Sequence, residues 1–178
     1  MVENSLERVR EQILVLNALD HLATRLACER MSENVLSKLS MCLADQLRGM
    51  EAEDLVRFGT AEMQFHRLIY GASGISYLKE LFDLVASQLL PSSLNFVPAL
   101  PSMFMSNDEL MQALMDQDIG RAREAIDRHT QAILDAISEQ MKSRTALKEM
   151  VRKATARRPR SGKTGNKKKS EDRESQEG

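Results

Sequence analysis

The segment EMQFH, residues 62–66, places a carboxylate and an imidazole four residues apart, at Glu62 and His66. On a helix this spacing puts both side chains on the same face. Carboxylate oxygen and imidazole nitrogen are common ligands of zinc and other transition metals. One such pair supplies only two of the three or four ligands that a stable zinc site uses. The pair is equally compatible with two polar residues on a helix surface, so its role depends on the rest of the chain.

Few other residues of the chain could complete a reactive site. It contains three histidines, His21, His66 and His129, and two cysteines, Cys28 and Cys42. The cysteines match no metal or redox spacing and fall among apolar positions, which predicts buried free thiols. The sequence has no phosphate-binding glycine loop and no nucleophile elbow. These patterns give no support for catalysis and predict a protein that is not an enzyme.

The elements that position these residues are predicted to be helices. Low glycine and proline counts, 8 and 4 in 178 residues, and an aromatic content of 4% favour helices over a β-sandwich. Apolar residues recur at steps of three and four, and no segment alternates with period two. We therefore predict an all-α fold, an antiparallel bundle of about six helices. The predicted helices cover about residues 5–30, a second run from Ser32 through Leu47, residues 51–71, 75–89 and 106–115, and a sixth run from Asp118 through Ile137.

Local sequence signals set the predicted helix ends. Ser32 and Asp118 are suitable N-caps for the second and sixth helices. Ser106 and Glu109 match the capping-box pattern, which predicts that the fifth helix starts at Ser106. The three prolines between residues 91 and 105 predict an irregular connection there. Leu22 and Leu47 are among the leucines expected to face the core.

The charge of the chain is divided unevenly. Residues 152–178 contain ten Lys and Arg against four Asp and Glu, so they carry +6 of a net charge of −1. This segment is nearly free of large apolar residues, and we predict a disordered, charged tail at 151–178 after a folded domain at 1–150. It could solubilise the protein or contact phosphates. The sequence shows no signal peptide and no apolar run long enough for a membrane span, which predicts a cytoplasmic protein with no membrane partner.

Three motifs in order along the chain are similar to those of a known family. They are LATRLACER at 22–30, EMQFH at 62–66 and DIGRAREAIDRH at 118–129. Over about residues 8–145 the chain resembles the FCD effector-binding domain of FadR-like regulators in the GntR family of transcription regulators. The resemblance implies a homodimer that binds a small-molecule effector, such as an organic acid. It also implies that operator DNA is bound only through a winged helix-turn-helix domain, which we do not expect this chain to contain.

The resemblance also implies a set of metal ligands. In this family an Asp and three His from three helices often hold a divalent metal, and the matching positions here are Glu62, His66, Asn107 and His129. The implied metal is zinc or nickel. Asp108 would replace Asn107 if the alignment were shifted by one residue. The family often has an effector-binding Arg on the first helix, where this chain has Leu16.

Two functions therefore stay open from the sequence. In the first, the chain is the ligand-sensing and dimerisation domain of a transcription regulator, whose polar central cavity contains Glu62, His66 and His129 with or without a metal. In the second, it is a stand-alone helical interaction module that keeps the dimer surfaces of the family and has a degenerate ligand site. Retention of Glu62, His66 and His129 favours the first function, whereas Leu16 and Asn107 favour the second.

Overall fold

The computed structural model describes residues 6–89 and 97–156 and places six helices in them. Those residues contain no strand, and the predicted all-α antiparallel bundle is confirmed. A short 3₁₀ turn at 97–99 precedes the fifth helix. The helices are α1 (Leu6–Cys28), α2 (Glu33–Glu51), α3 (Leu55–Ala72), α4 (Ser76–Leu89), α5 (Leu100–Met115) and α6 (Ile119–Ala156).

The chain divides into two units, Met1–Arg144 and Thr145–Gly178. The first unit holds the bundle and the site. Of the second unit, the structure describes residues 145–156, which form the end of α6. Helix α6 thus continues past the domain boundary predicted at residue 150, and the rest of the predicted tail lies outside the described residues.

Side-chain caps begin three of the helices. The hydroxyl of Ser32 accepts a hydrogen bond from the backbone N–H of Val35, at 3.3 Å. The carboxylates of Asp54 and Asp118 accept equivalent bonds from residues three positions later, at 2.9 and 3.0 Å. Each bond satisfies a backbone donor that the first turn of a helix leaves without a partner. The predicted caps at Ser32 and Asp118 are therefore confirmed.

Helix α5 begins six residues earlier than predicted, at Leu100. Pro101 lies in its first turn, where a residue without an N–H costs no helical hydrogen bond. The Ser106 hydroxyl donates back toward the carbonyls of Ser102 and Met103, each at 2.9 Å, so it lies inside the helix. The predicted capping box is wrong because the apolar stripe of α5 already starts at Leu100. Residues 90–96 of the predicted irregular connection lie outside the described residues.

The core is formed by apolar residues from all six helices. On α1 the buried positions step by three or four residues through Val9, Ile13 and Leu16. Leu22 lies off that stripe and is 37% exposed, and Leu47 on α2 is 38% exposed, so both were wrongly predicted to face the core. Cys28 and Cys42 are buried free thiols, as predicted. No helix in the described part of the chain is long and apolar enough to cross a membrane.

Helix α3 occupies the centre of this arrangement, in contact with α1, α2 and α4. Its approach to α2 is close at Gly49, where an added Cβ would lie 2.7 Å from the backbone nitrogen of Phe58. The inner face of α3 buries Phe58, Phe65 and Ile69 together with Glu62 and His66. Two ionisable side chains are thereby placed inside an apolar core.

Candidate metal and effector site

Glu62 and His66 on α3 meet His129 on α6 inside the bundle. The Nε2 atoms of both imidazoles lie 3.1 Å from the same carboxylate oxygen, Oε1 of Glu62. One ligand atom from each of the three residues falls within 4.8 Å of the others. All three residues are buried. The structure therefore brings three of the four sequence-predicted site residues together as possible ligands of one ion.

The outward-facing imidazole nitrogens have their own partners. Nδ1 of His66 lies 3.3 Å from Oδ1 of Asp20 on α1, and Nδ1 of His129 lies 3.2 Å from the hydroxyl of Ser106 on α5. Such outer partners fix the orientation of a ligating imidazole and aim its other nitrogen inward. Sequence reasoning missed both residues. Asp20 could have been found, because it is a charged residue on the buried stripe of α1.

Asn107, the fourth predicted site residue, contacts the cluster through Glu62. Its side-chain N–H₂ donates to Oε2 of Glu62 at 2.6 Å and to Oε1 of Gln46 at 3.3 Å. Its own Oδ1 and the Nε2 of Gln46 have no hydrogen-bond partner among the described residues. Asp108, the alternative to Asn107, is only half-buried and does not belong to the cluster of Glu62, His66 and His129.

The third histidine of the chain lies outside this cluster. His21 is half-buried on α1, and its Nε2 lies 2.7 Å from Oδ1 of Asp127 on α6. The carboxylate of Asp127 is well exposed. Because His21 pairs with an exposed carboxylate and not with Glu62, it provides an internal control for the two buried histidines.

Opposite charges stabilise each other within the cluster. Burial opposes ionisation of Glu62, but the neighbouring His129 and His66 outweigh it and hold the pKa of this carboxyl well below its usual range. Burial likewise opposes charge on His66, but Asp20 and Glu62 outweigh it and raise the pKa of this imidazole to about 10. Without a metal, His66 is therefore a cation at neutral pH and Glu62 an anion.

A cavity of about 80 Å³ adjoins the cluster. Asp20, Glu62, His66 and His129, which contact one another, form its charged end, and Thr130 is its other polar lining residue. The other lining residues are apolar, among them Leu16, Phe58, Phe82, Leu100 and Ile133. A cavity that is apolar except for a few convergent polar groups is the usual form of a small-molecule site.

Comparison with known proteins identifies the family. The FCD domain matches residues 12–138, which is most of the chain. The chain belongs to the FCD domain family. The FCD match includes all four predicted site residues and all six helices in whole or in part. No curated protein matches the sequence significantly.

Solved structures of other proteins share the fold of this FCD domain. Escherichia coli McbR/YncC is 19% identical, with a TM-score of 0.70 over 78% of this chain and 71% of that protein. Lar, described as controlling the Listeria monocytogenes agr system, is 15% identical, with a TM-score of 0.68 over 76% and 65%. Streptococcus agalactiae GntR is also 15% identical, with a TM-score of 0.62 over 74% and 61%. The FCD chain thus spans about two thirds of the length of these proteins.

The donors of the FCD site suit a transition metal. Two imidazole nitrogens and one carboxylate oxygen form a ligand set that zinc uses when a further position is left for water or a ligand. Each of the three candidate ligands also has an outer partner, which is typical of a metal site. The residues present therefore fit the metal that the family resemblance implies.

Proposed function

We propose that residues 1–150 form the effector-binding and dimerisation domain of a GntR-family transcription regulator, which acts in the cytoplasm and is not an enzyme. Residues 151–178 would form its charged tail. The observation that carries the proposal is the convergence of His66 and His129 on one oxygen of Glu62, beside an apolar cavity and within an FCD domain. His129 on α6 lies more than 60 residues from Glu62 and His66 on α3, so the fold and not local sequence brings the three side chains together.

The proposed site holds zinc or nickel through Glu62, His66 and His129. A bound metal supplies positive charge that can attract an electron-rich group of an effector. Asp20 and Ser106 hold the two imidazoles in orientation, and Asn107 holds the second oxygen of Glu62. Asn107 is thus proposed as a partner of a ligand and not as a strong ligand itself, since its amide nitrogen already faces Glu62.

The proposed partners are a second copy of the chain and a small-molecule effector. Exposed apolar residues on α1 and α4, including Val15 and Leu84, support a dimer contact on these two helices. Operator DNA would be contacted through a winged-helix domain and not through the helices that the structure describes. A second function, an interaction module with a degenerate site, is supported by Leu16 in the apolar wall and by the orientation of Asn107.

Titration of metal-stripped protein with zinc, nickel and manganese, followed by calorimetry and by thermal unfolding, tests the proposal. A ligand that binds the native state must raise the melting temperature. We expect zinc or nickel to bind and stabilise the protein. His66→Ala and His129→Ala should each abolish this effect, whereas His21→Ala should retain it. Absence of heat and stabilisation with all three metals would leave the interaction module as the better function.

A further inference from the structure

The cavity beside the cluster can offer positive charge at one end only. None of its lining residues within the described parts of the chain is a Lys or Arg. The imidazoles of His66 and His129, together with Glu62, can hold a metal cation at that end. Asp20 and Glu62 at the same end are acidic. A metal cation held there can pair with one anionic group of a ligand, and a second anionic group has no partner in the rest of the lining.

The remainder of the cavity wall favours a hydrocarbon chain. Leu16, Phe58 and Ile133 offer no hydrogen-bonding side chain to a bound molecule. A charged or hydroxyl group placed against this wall would lose its water without a compensating bond, which is costly. A methylene chain in the same place would instead gain from the removal of apolar surface from water.

The size of the cavity limits the length of that chain. Its volume is about 80 Å³, compared with about 150 Å³ for an engineered protein cavity that holds benzene. Gly59 contributes to the space, because it lines the cavity and a Cβ built on it would meet no atom within 4 Å. A chain of about three or four carbons matches this room.

Resting on the effector-binding function proposed above, we propose that this cavity binds a short aliphatic monocarboxylate. Its carboxylate lies at the imidazole end and its hydrocarbon chain lies along the apolar wall. Dicarboxylates and sugar acids are rejected, because their second carboxylate or their hydroxyl groups would face apolar side chains without partners.

Butyrate and succinate provide a matched test, since they have the same number of carbons and differ by one carboxylate. In zinc-loaded protein, we expect butyrate to raise the melting temperature. We also expect butyrate to bind at least about tenfold more tightly than succinate. Butan-1-ol should bind more weakly than butyrate because it lacks the anionic group. Octanoate should also bind more weakly than butyrate because its chain is too long for the cavity. Binding of succinate, butan-1-ol or octanoate as tight as that of butyrate would overturn the inference.

The location of the ligand is tested by filling the cavity at Gly59. Gly59→Leu places a side chain in the open space, whereas Gly71→Leu adds the same group on the same helix away from the cavity, also with no atom within 4 Å of its Cβ. We expect Gly59→Leu to lose butyrate binding and to keep zinc binding, and Gly71→Leu to keep both. Equal butyrate binding by the two variants would contradict the assigned cavity.

A gain of positive charge tests the reason for the specificity. Met63 lines the cavity and is half-buried, so a lysine in its place can bring an ammonium to the apolar wall. We expect Met63→Lys to improve succinate binding relative to butyrate and Met63→Gln, the uncharged control, to leave the preference unchanged. An unchanged preference in Met63→Lys would count against the charge argument.

Measuring metal binding alongside butyrate binding distinguishes a failure of this inference from a failure of the proposed function. If zinc stabilises the protein and butyrate does not bind, the ligand class is wrong and the metal-dependent function stands. If none of zinc, nickel and manganese binds or stabilises the protein, the proposed function fails and the inference that rests on it fails too.

Discussion

The side-chain amide of Asn107 donates a hydrogen bond to Oε2 of Glu62 at 2.6 Å and so joins α5 to α3 inside the core. The other carboxylate oxygen, Oε1, faces the two imidazoles. Both oxygens of a buried carboxylate are thereby paired, which is the condition under which burial of a charge is tolerated. The family often has a fourth metal ligand at the position of Asn107. In this chain the Asn107 side chain instead donates a hydrogen bond to Glu62, one of the three candidate ligands.

Asn107→Ala should therefore destabilise the metal-free protein. The substitution leaves Oε2 of Glu62 buried without a partner, and loss of a hydrogen bond to a charged group costs about 1.5–3 kcal/mol. Gln131→Ala removes an amide that bonds Asp135 on an exposed part of α6 and should cost less than about 0.5 kcal/mol. Urea unfolding measures both variants. Equal effects would show that the Asn107–Glu62 bond contributes little.

The stability of the metal-free protein should decrease at alkaline pH because of His66. Its pKa of about 10 in the folded state lies above the ordinary value of 6.5. The contribution of the charged imidazole to stability is therefore fully present below pH 6.5 and is lost as the pH rises toward 10. We expect the free energy of unfolding to fall across this range by more in the wild type than in His66→Gln.

Zinc should remove this alkaline loss, because a metal-bound imidazole is already neutral. Urea unfolding at several pH values between 6 and 10, with and without zinc, makes the comparison. A decrease in stability that is the same in the wild type, in His66→Gln and in the zinc-loaded protein would assign the pH dependence to other groups.

The same cluster shows how far the sequence could predict the site. The spacing of Glu62 and His66 requires only that α3 be a helix, and the resemblance supplied His129 and Asn107. The partners Asp20 and Ser106 come from other helices, and their contacts depend on how α1 and α5 pack against α3 and α6. Helix periodicity carries no information on that packing. Ser106 was further misplaced at a helix start because its sequence neighbours match a capping box.

The helix ends likewise show that local features could be predicted from the sequence and that features set by packing could not. Ser32 and Asp118 were predicted as caps because the cap bond is made within four residues of sequence. The start of α5 at Leu100 was missed because Pro101 resembles a helix breaker, although proline is tolerated in a first turn. Exposure of Leu22 and Leu47 was missed because hydrophobicity alone does not fix which face of a helix is covered.

Two glycines on neighbouring helices should respond in opposite ways to the same substitution. Gly59→Ala adds a Cβ that meets no atom within 4 Å and should stabilise the protein by up to about 1 kcal/mol through helix propensity. Gly49→Ala places a Cβ 2.7 Å from the backbone nitrogen of Phe58 and should destabilise it, because α2 and α3 must separate. Thermal unfolding of the two variants shows whether each substitution raises or lowers the melting temperature. A stabilised Gly49→Ala would contradict the close approach of α2 and α3.

Dimerisation, which the family resemblance implies, should depend on the exposed apolar residues of α1 and α4. Val15 on α1 and Leu84 on α4 are 51% and 59% exposed, and the two helices pack against each other. Covering such residues with a second copy would remove apolar surface from water, whereas a carboxylate introduced there would be buried without a partner. We expect light scattering to give a dimer for the wild type and a monomer for Val15→Glu or Leu84→Glu.

Val56→Glu is the matched control for this experiment. Val56 lies on α3 and is 79% exposed, so it offers the same change of charge and polarity on a different helix. The control should remain a dimer and unfold at the temperature of the wild type, since the introduced carboxylate stays in water. If Val56→Glu were monomeric while Val15→Glu and Leu84→Glu stayed dimeric, the contact would involve α3, and the assignment to α1 and α4 would be wrong.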